Sequence, residues 1–145
     1  MAHLLADAGG VTDLITLMAA VLHDTIEDTE TTADDLDRQF GPAVRKLVEE
    51  LTDDKSLDKA VRKRLQIEHA PHLSTRAKMI KLADKIANVQ DVTDVPPANW
   101  DLARRTDYLD WTEQVVSGCR ETNDGLERLY DQVLEKGRAR LVASR

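Results

Sequence analysis

Near its beginning the chain carries the apolar segment Leu14-Ile15-Thr16-Leu17-Met18-Ala19-Ala20-Val21-Leu22. A helix that is apolar on nearly all sides is normally buried, so we predict that this segment, capped by Thr12, forms the central helix. Apolar residues recur at helical spacing through almost all of the chain, and no segment shows the alternation expected of a strand. The sequence therefore predicts an all-α protein, a single bundle of about six to eight helices.

Start and stop signals mark the other helices. Thr32 precedes acidic residues, Pro42 suits a first helical turn, and Ser74 can cap a long helix that contains Asp84. The basic end of the chain, 136–145, is expected to fray. After the first helix, the predicted helical segments are about 32–41, 42–51, 58–70, 74–95, 101–118 and 124–142.

The composition excludes several classes of protein. With 145 residues, 41% of them hydrophobic and 32% charged, the chain has the size and material of one compact domain. Its net charge of −7 disfavours binding to nucleic acids or to acidic membranes. A single cysteine, Cys119, cannot form an internal disulfide, and no apolar run reaches the length of a membrane span. We therefore expect a cytoplasmic protein with no membrane or nucleic-acid partner.

A cluster of ionisable side chains directly follows the first apolar segment. Residues 22–29 read Leu-His-Asp-Thr-Ile-Glu-Asp-Thr, and His23, Asp24 and Glu27 share a face if the helix persists for one more turn. Imidazole and carboxylate groups suit Mn²⁺, Fe²⁺ or Zn²⁺, and a cation would relieve the repulsion among Asp24, Glu27 and Asp28. Alternatively, His23 only ends a helix and the acidic residues cap the next one. The spacing leaves both interpretations open.

A second group of polar residues lies within the long helix that Ser74 begins. Asp84 is surrounded in sequence by core residues, and a carboxylate near a core must be paired or bound to metal. Asn88 falls one turn later on the same face. The alternative is an ion pair of Asp84 with Lys81 or Lys85 on an exposed edge of the helix.

Taken together, these blocks resemble the HD-domain superfamily, and more closely the hydrolase half of RelA/SpoT proteins and their stand-alone relatives, the metazoan SpoT homologues and bacterial small alarmone hydrolases. The resemblance covers nearly the whole chain. The middle blocks separate this group from other HD phosphodiesterases. The matching stretches are Ala19-Ala20-Val21-Leu22-His23-Asp24-Thr25-Ile26-Glu27-Asp28-Thr29, Phe40-Gly41-Pro42, Leu47-Val48-Glu49-Glu50-Leu51-Thr52-Asp53-Asp54-Lys55, Arg62-Lys63-Arg64-Leu65-Gln66 and Lys81-Leu82-Ala83-Asp84-Lys85-Ile86-Ala87-Asn88.

The resemblance implies a reaction and a division of roles. The reaction is hydrolysis of the 3′-pyrophosphate of guanosine tetraphosphate (ppGpp) or pentaphosphate (pppGpp), usually with Mn²⁺. The implied metal ligands are His23, Asp24 and Asp84, and Glu27 with Asp28 would orient or deprotonate the attacking water. The residues implied to contact the nucleotide are Asn88, Lys59, Arg104 and Tyr108. For the last three, the plain alternative is two exposed basic residues and a tyrosine half-buried between helices.

The sequence departs from this family at its beginning. The family's first metal ligand is a histidine in a helix upstream of the segment His3–Ala8, which ends at Gly9-Gly10. We therefore expect 1–145 to be an HD hydrolase domain that lacks its usual N-terminal helix. Three ligands in place of four would weaken metal affinity. Two other functions stay open: a nucleotide-binding regulatory module with impaired catalysis, and a hydrolase of another nucleotide or phosphate ester. A domain without its first helix would also expose apolar surface, which would favour self-association into a homo-oligomer.

Overall fold

The structure is a computed structural model, and it describes residues 1–23 and 32–143. Within these ranges the chain forms eight α-helices and no strand, as an all-α bundle requires. None of the helices in the described ranges is both long enough and apolar enough to cross a bilayer. The helices are α1 (Ala2–Asp7), α2 (Leu14–Leu22), α3 (Ala33–Phe40), α4 (Pro42–Leu51), α5 (Lys59–His69), α6 (Thr75–Asp94), α7 (Leu102–Ser117) and α8 (Asp124–Ala143), with a short 3-10 turn, Ala70–His72, after α5.

The centre of the bundle is α6. Its start is set by Ser74, whose Oγ accepts a hydrogen bond from the Ala77 backbone N–H at 3.2 Å. Its apolar residues at helical spacing are fully buried, and the helix contacts α1, α2, α4, α7 and α8. The expectation that α2 would be the central helix is therefore wrong. The buried side chains that make α6 the core helix include Ile80, Leu82, Ala83, Ile86 and Val89.

Two further expectations for α2 are corrected by the structure. Its N-cap is Asp13 and not Thr12, because the Asp13 carboxylate accepts hydrogen bonds from the backbone N–H and the hydroxyl of Thr16. The helix is also not buried on all sides, since Leu14 and Val21 are 68% and 69% exposed. The small residues of α2 face the core, and its larger side chains leave an open apolar groove beside α1. That groove is lined by Ala2, His3, Ala6, Leu17, Met18, Val21, Leu22 and Phe40.

Helices α3 and α4 begin as their local signals predict. Thr32 and Asp35 form a reciprocal capping box at the start of α3. Gly41, at a φ of 90°, separates α3 from α4, and Pro42 occupies the first turn of α4. The buried stripe of α4 is the predicted one, formed by Val44, Leu47, Val48 and Leu51.

The last helix, α8, is anchored along the length that the structure describes. Arg138 pairs with Asp110 at 2.8 Å and with Glu113 at 3.2 Å, both on α7, and Arg140 pairs with Asp94 on α6. Leu141 is buried. The predicted fraying of the basic end is therefore wrong as far as Ala143, because these contacts supply the tertiary support that a helix end otherwise lacks.

Candidate functional site

Two of the predicted metal ligands lie next to each other. His23 is the C-terminal cap of α2, and Asp84 lies in the middle of α6. The fold brings His23 Nε2 to 3.9 Å from Asp84 Oδ1, and their side chains are 15% and 23% exposed. Residues from distant parts of the sequence therefore meet in a recess that solvent still reaches.

The chemistry of this pair fits a shared cation. His23 Nδ1 lies 3.1 Å from the Ala20 carbonyl oxygen, and because a carbonyl can only accept, Nδ1 carries the proton. With Nδ1 donating, Nε2 is the ring nitrogen that a metal would bind, and it is the atom that faces the Asp84 carboxylate. Metal bonds to nitrogen and oxygen of about 2.0 to 2.2 Å add up to about 4.2 Å. Two atoms 3.9 Å apart can therefore both bind one ion.

A polar cavity of about 170 Å³ lies between α5 and α7. Two of the predicted nucleotide contacts, Lys59 and Tyr108, belong to its wall. A third, Arg104, is not among its lining residues but has its guanidinium 4.3 Å from the centre of the Trp100 ring, which is itself 5.4 Å from Tyr108. The lining residues are Asp53, Lys59, Arg62, Lys63, Gln66, Tyr108 and Trp111.

Positive charge is concentrated around this cavity. Burial, together with the charges of Lys59 and Arg104, lowers the pKa of Lys63, and Asp107 opposes this. Arg62 Nε is buried and has no hydrogen-bond partner in the described part of the chain. An accumulation of cations with an unused donor is typical of a site for an anion such as phosphate. The acidic chain as a whole therefore has a locally basic pocket.

Comparison with known proteins identifies the family. The family model described as HD domain matches residues 1–109. The chain belongs to the HD-domain family. The guanosine-3′,5′-bis(diphosphate) 3′-pyrophosphohydrolase MESH1 of Mus musculus is 48% identical over 136 residues, which are 94% of this chain and 76% of the mouse protein. The Homo sapiens enzyme of the same name is 50% identical, with the same two shares.

A solved structure supports the same assignment. It is described as a metazoan ortholog of SpoT that hydrolyzes ppGpp and plays a role in starvation responses. Its TM-score with this HD domain is 0.89 at 46% identity, and the match covers 93% of this chain and 76% of that one. The resemblance to metazoan SpoT homologues and the all-α HD fold, both predicted from the sequence, are confirmed.

Three predicted residues of the HD motif lie outside the described residues. These are Asp24, Glu27 and Asp28, within the range 24–31. In the described ranges, no group of three or more His, Cys, Asp or Glu side chains is arranged to hold a metal ion. Of the predicted metal ligands and catalytic residues, the described part of the HD domain therefore contains only His23 and Asp84. The roles of these two residues and of Asp24, Glu27 and Asp28 stay predictions.

Asp84 is a half-buried carboxylate held by two side-chain hydrogen bonds. Its Oδ2 accepts hydrogen bonds from Lys85 Nζ at 3.2 Å and from Asn88 Nδ2 at 3.3 Å. Burial alone would raise the pKa of Asp84, but the charges of Lys85, Lys81 and His23 hold it below its ordinary value. Asp84 therefore stays ionised, as a metal ligand must. The ion pair with Lys85 that the sequence left open does exist, but it is buried and not on an exposed edge.

Of the two aromatic residues in the cavity wall, Tyr108 was predicted from the resemblance and Trp111 was missed. Trp111 donates from its indole nitrogen to the Lys63 carbonyl oxygen at 3.1 Å, and its ring centre lies 5.4 Å from that of Tyr108. Lys63 Nζ lies 5.0 Å from the Trp111 ring centre and 5.4 Å from that of Tyr108. The signal that could have revealed this is the helical spacing of Arg104, Tyr108 and Trp111, which places them on one face of α7.

Proposed function

We propose that this chain is a metal-dependent guanosine-3′,5′-bis(diphosphate) 3′-pyrophosphohydrolase that converts ppGpp to GDP and pyrophosphate. The observation that carries the proposal is the His23 and Asp84 pair, in which the imidazole Nε2 faces a carboxylate oxygen at 3.9 Å. The pair lies near the basic cavity, because Lys85 Nζ donates both to Asp84 and to Gln66, a residue of the cavity wall. Relatives that align over 94% of the chain carry this activity in their names.

The proposed roles in hydrolysis follow from the chemistry of each group. His23, Asp24 and Asp84 would hold the ion, for which we propose Mn²⁺ because imidazole and carboxylate ligands suit it. When bound, such an ion lowers the pKa of a water ligand and offsets phosphate charge. Glu27 and Asp28 would orient the water and accept its proton. The water supplies a hydroxyl group to the released pyrophosphate and a proton to the 3′ oxygen of the ribose.

The cavity would bind the nucleotide. Lys59 and Arg104, with Lys63 and Arg62 beside them, supply the positive charge that a bis(diphosphate) requires. Burial, then the charges of Asp84 and Asp91, raises the pKa of Tyr108 to about 12, so its hydroxyl keeps its proton and can donate a hydrogen bond to an anion.

Asn88 has two proposed functions. It would contact the substrate, as the resemblance implies, and its amide also donates to the Asp84 carboxylate. These two roles are compatible, because an amide NH₂ group has two hydrogens to donate.

The test is an assay of pyrophosphate release from ppGpp with and without Mn²⁺. We expect turnover that depends on the ion and that is abolished in Asp84→Ala and in Glu27→Ala. Asp94→Asn is a matched control, since Asp94 is an exposed carboxylate at the end of the same helix and pairs with Arg140 on the surface. Unchanged turnover in Asp84→Ala and Glu27→Ala would refute the proposed mechanism. Binding of ppGpp with no product would favour the regulatory alternative.

The identity of the ion is tested separately. Elemental analysis of protein purified without chelators should find manganese, and stoichiometric addition of Mn²⁺ should restore activity after chelation. Full activity with Zn²⁺ and none with Mn²⁺ would refute the proposed metal and leave the proposed reaction intact.

A further inference from the structure

Lys85 is a buried lysine whose ammonium group contacts other side chains of the protein. It is 2% exposed and lies on α6 directly after Asp84. Its Nζ donates to Asp84 Oδ2 at 3.2 Å and to Gln66 Oε1 at 3.1 Å, and it lies 4.3 Å from the centre of the Trp111 ring. Burying an ammonium group is costly, so three separate partners for one lysine indicate a defined task.

The two oxygens of the Asp84 carboxylate have different surroundings. Oδ2 accepts hydrogen bonds from both Lys85 and Asn88, whereas Oδ1 faces His23 Nε2. Rotation of the carboxylate out of this orientation would break both hydrogen bonds. The two donors therefore keep Oδ1 directed at the imidazole.

Lys85 is itself held from the far side. Gln66 on α5 accepts from Lys85 through Oε1 and donates through Nε2 to Asp53 Oδ2 at 2.7 Å. Because Asp53 can only accept, the orientation of the Gln66 amide is fixed, with its oxygen towards Lys85. Asp53 and Gln66 both line the basic cavity. A continuous chain of hydrogen bonds thus joins the cavity wall to the carboxylate beside His23.

We propose that Lys85, oriented by Gln66, is a positioning residue that holds the Asp84 carboxylate so that Oδ1 alone binds the ion. The inference rests on the proposed function, because it takes His23 and Asp84 as ligands of one ion. It adds a residue outside the HD motif to the metal centre, and it links that centre to the nucleotide cavity. Partners of metal ligands of this kind typically change metal affinity by about 10- to 100-fold.

The direction in which the cation affinity changes when Lys85 is removed distinguishes a positioning role from a purely electrostatic one. Lys85 is a positive charge next to a cation site, so its removal should strengthen cation binding if charge alone mattered. If Lys85 orients the ligand, its removal should weaken binding. Lys81 provides the matched control: it is 9% exposed, and its charge also lowers the pKa of Asp84, but it makes no hydrogen bond to that carboxylate in the described part of the chain.

The experiment is calorimetric titration of Mn²⁺ into the metal-free forms of the unaltered protein, Lys85→Met, Lys85→Arg and Lys81→Met. Far-UV circular dichroism of each form checks folding. We expect Lys85→Met to bind Mn²⁺ at least about tenfold more weakly. Lys85→Arg keeps a charged donor and should recover part of the affinity. Lys81→Met should bind Mn²⁺ as tightly as the unaltered protein or more tightly. In the turnover assay, Lys85→Met should lower kcat and leave KM nearly unchanged.

Each outcome decides between the two proposals. Equal or tighter binding by folded Lys85→Met would overturn the positioning role while leaving the metal centre in place. Absence of Mn²⁺ binding by the unaltered protein would instead overturn the proposed function. If Lys85→Met does not fold, Gln66→Met decides the question, because it removes the orienting amide without changing any charge. Unaltered Mn²⁺ affinity in Gln66→Met would overturn the inference.

Discussion

Replacement of the buried partners Thr112 and Tyr130 should destabilise the protein unequally. Thr112 is on α7, one residue after Trp111 of the cavity wall, and Tyr130 is on α8; both are fully buried. Their hydroxyl oxygens lie 2.8 Å apart, and Thr112 Oγ1 also donates to the Leu109 carbonyl oxygen at 2.8 Å. Because the threonine hydroxyl has one hydrogen, Tyr130 must be the donor and Thr112 the acceptor.

The assignment of donor and acceptor determines how much each substitution should lower the free energy of unfolding. Tyr130→Phe removes the donor and leaves Thr112 still bonded to Leu109, so the free energy of unfolding should fall by about 0.5 to 1.5 kcal/mol. Thr112→Val keeps the shape of the side chain but leaves the Tyr130 hydroxyl buried without an acceptor, which should cost about 1 to 3 kcal/mol. In the double variant no donor is left unsatisfied, so its loss should be smaller than the sum of the two single losses by about 0.5 kcal/mol or more.

The assay is urea unfolding followed by circular dichroism, for the unaltered protein and the three variants. The slope of the unfolding free energy against urea concentration should be the same in all four proteins, so that differences between the unfolding midpoints report differences in stability. A greater loss in Tyr130→Phe than in Thr112→Val would refute the assignment of the donor. Additive losses would show that the two hydroxyls do not interact.

Three further predictions concern other buried positions. Burial raises the pKa of Tyr130 from 10.0 to about 12; the contribution of this tyrosine to stability should be complete below pH 10 and should be lost as the pH rises through about 12, a loss that Tyr130→Phe should lack in unfolding measured across this range. Gly125→Ala would place a Cβ atom 2.1 Å from the Ala8 carbonyl oxygen, and thermal unfolding should show a loss of about 1 to 3 kcal/mol or more; unchanged stability would contradict this packing. Burial raises the pKa of the Cys119 thiol to about 11, so Ellman's reagent should react with it only after denaturation, and rapid labelling of the folded protein would contradict its burial.

Local sequence signals were sufficient to predict most helix boundaries, but they did not predict which helix is the most buried. Ser74, Thr32 and Pro42 each begin a helix where predicted, because a cap or a first-turn proline acts within a few residues. The relative burial of two apolar helices was not predicted, because it depends on how many neighbours each one has. The segment 14–22 has the more apolar composition, yet the fully packed helix is Thr75–Asp94.

For the candidate site, residue types were predictable and contacts were not. Residue type and spacing suggested His23 and Asp84 as metal ligands, but without the resemblance they left helix capping open for His23 and slightly favoured an exposed ion pair with Lys81 or Lys85 for Asp84. In the structure Asp84 has both a buried lysine partner and an imidazole facing its other oxygen. Trp100 gave no signal in the sequence and Trp111 gave only its helical spacing from Tyr108, because the position of each ring next to a cation depends on how α5 and α7 pack.

The amino-acid sequence alone determined the helical class and the family, because periodicity, caps and motif spacing are properties of short segments, whereas the metal ligands that it suggests stay predictions. The tertiary structure alone decided which helix is the core, which oxygen of Asp84 faces His23, and that Gln66 and Lys85 connect the cavity to that carboxylate. These features depend on contacts between residues far apart in the chain. Such contacts are set by the packing of whole helices, which no local pattern specifies.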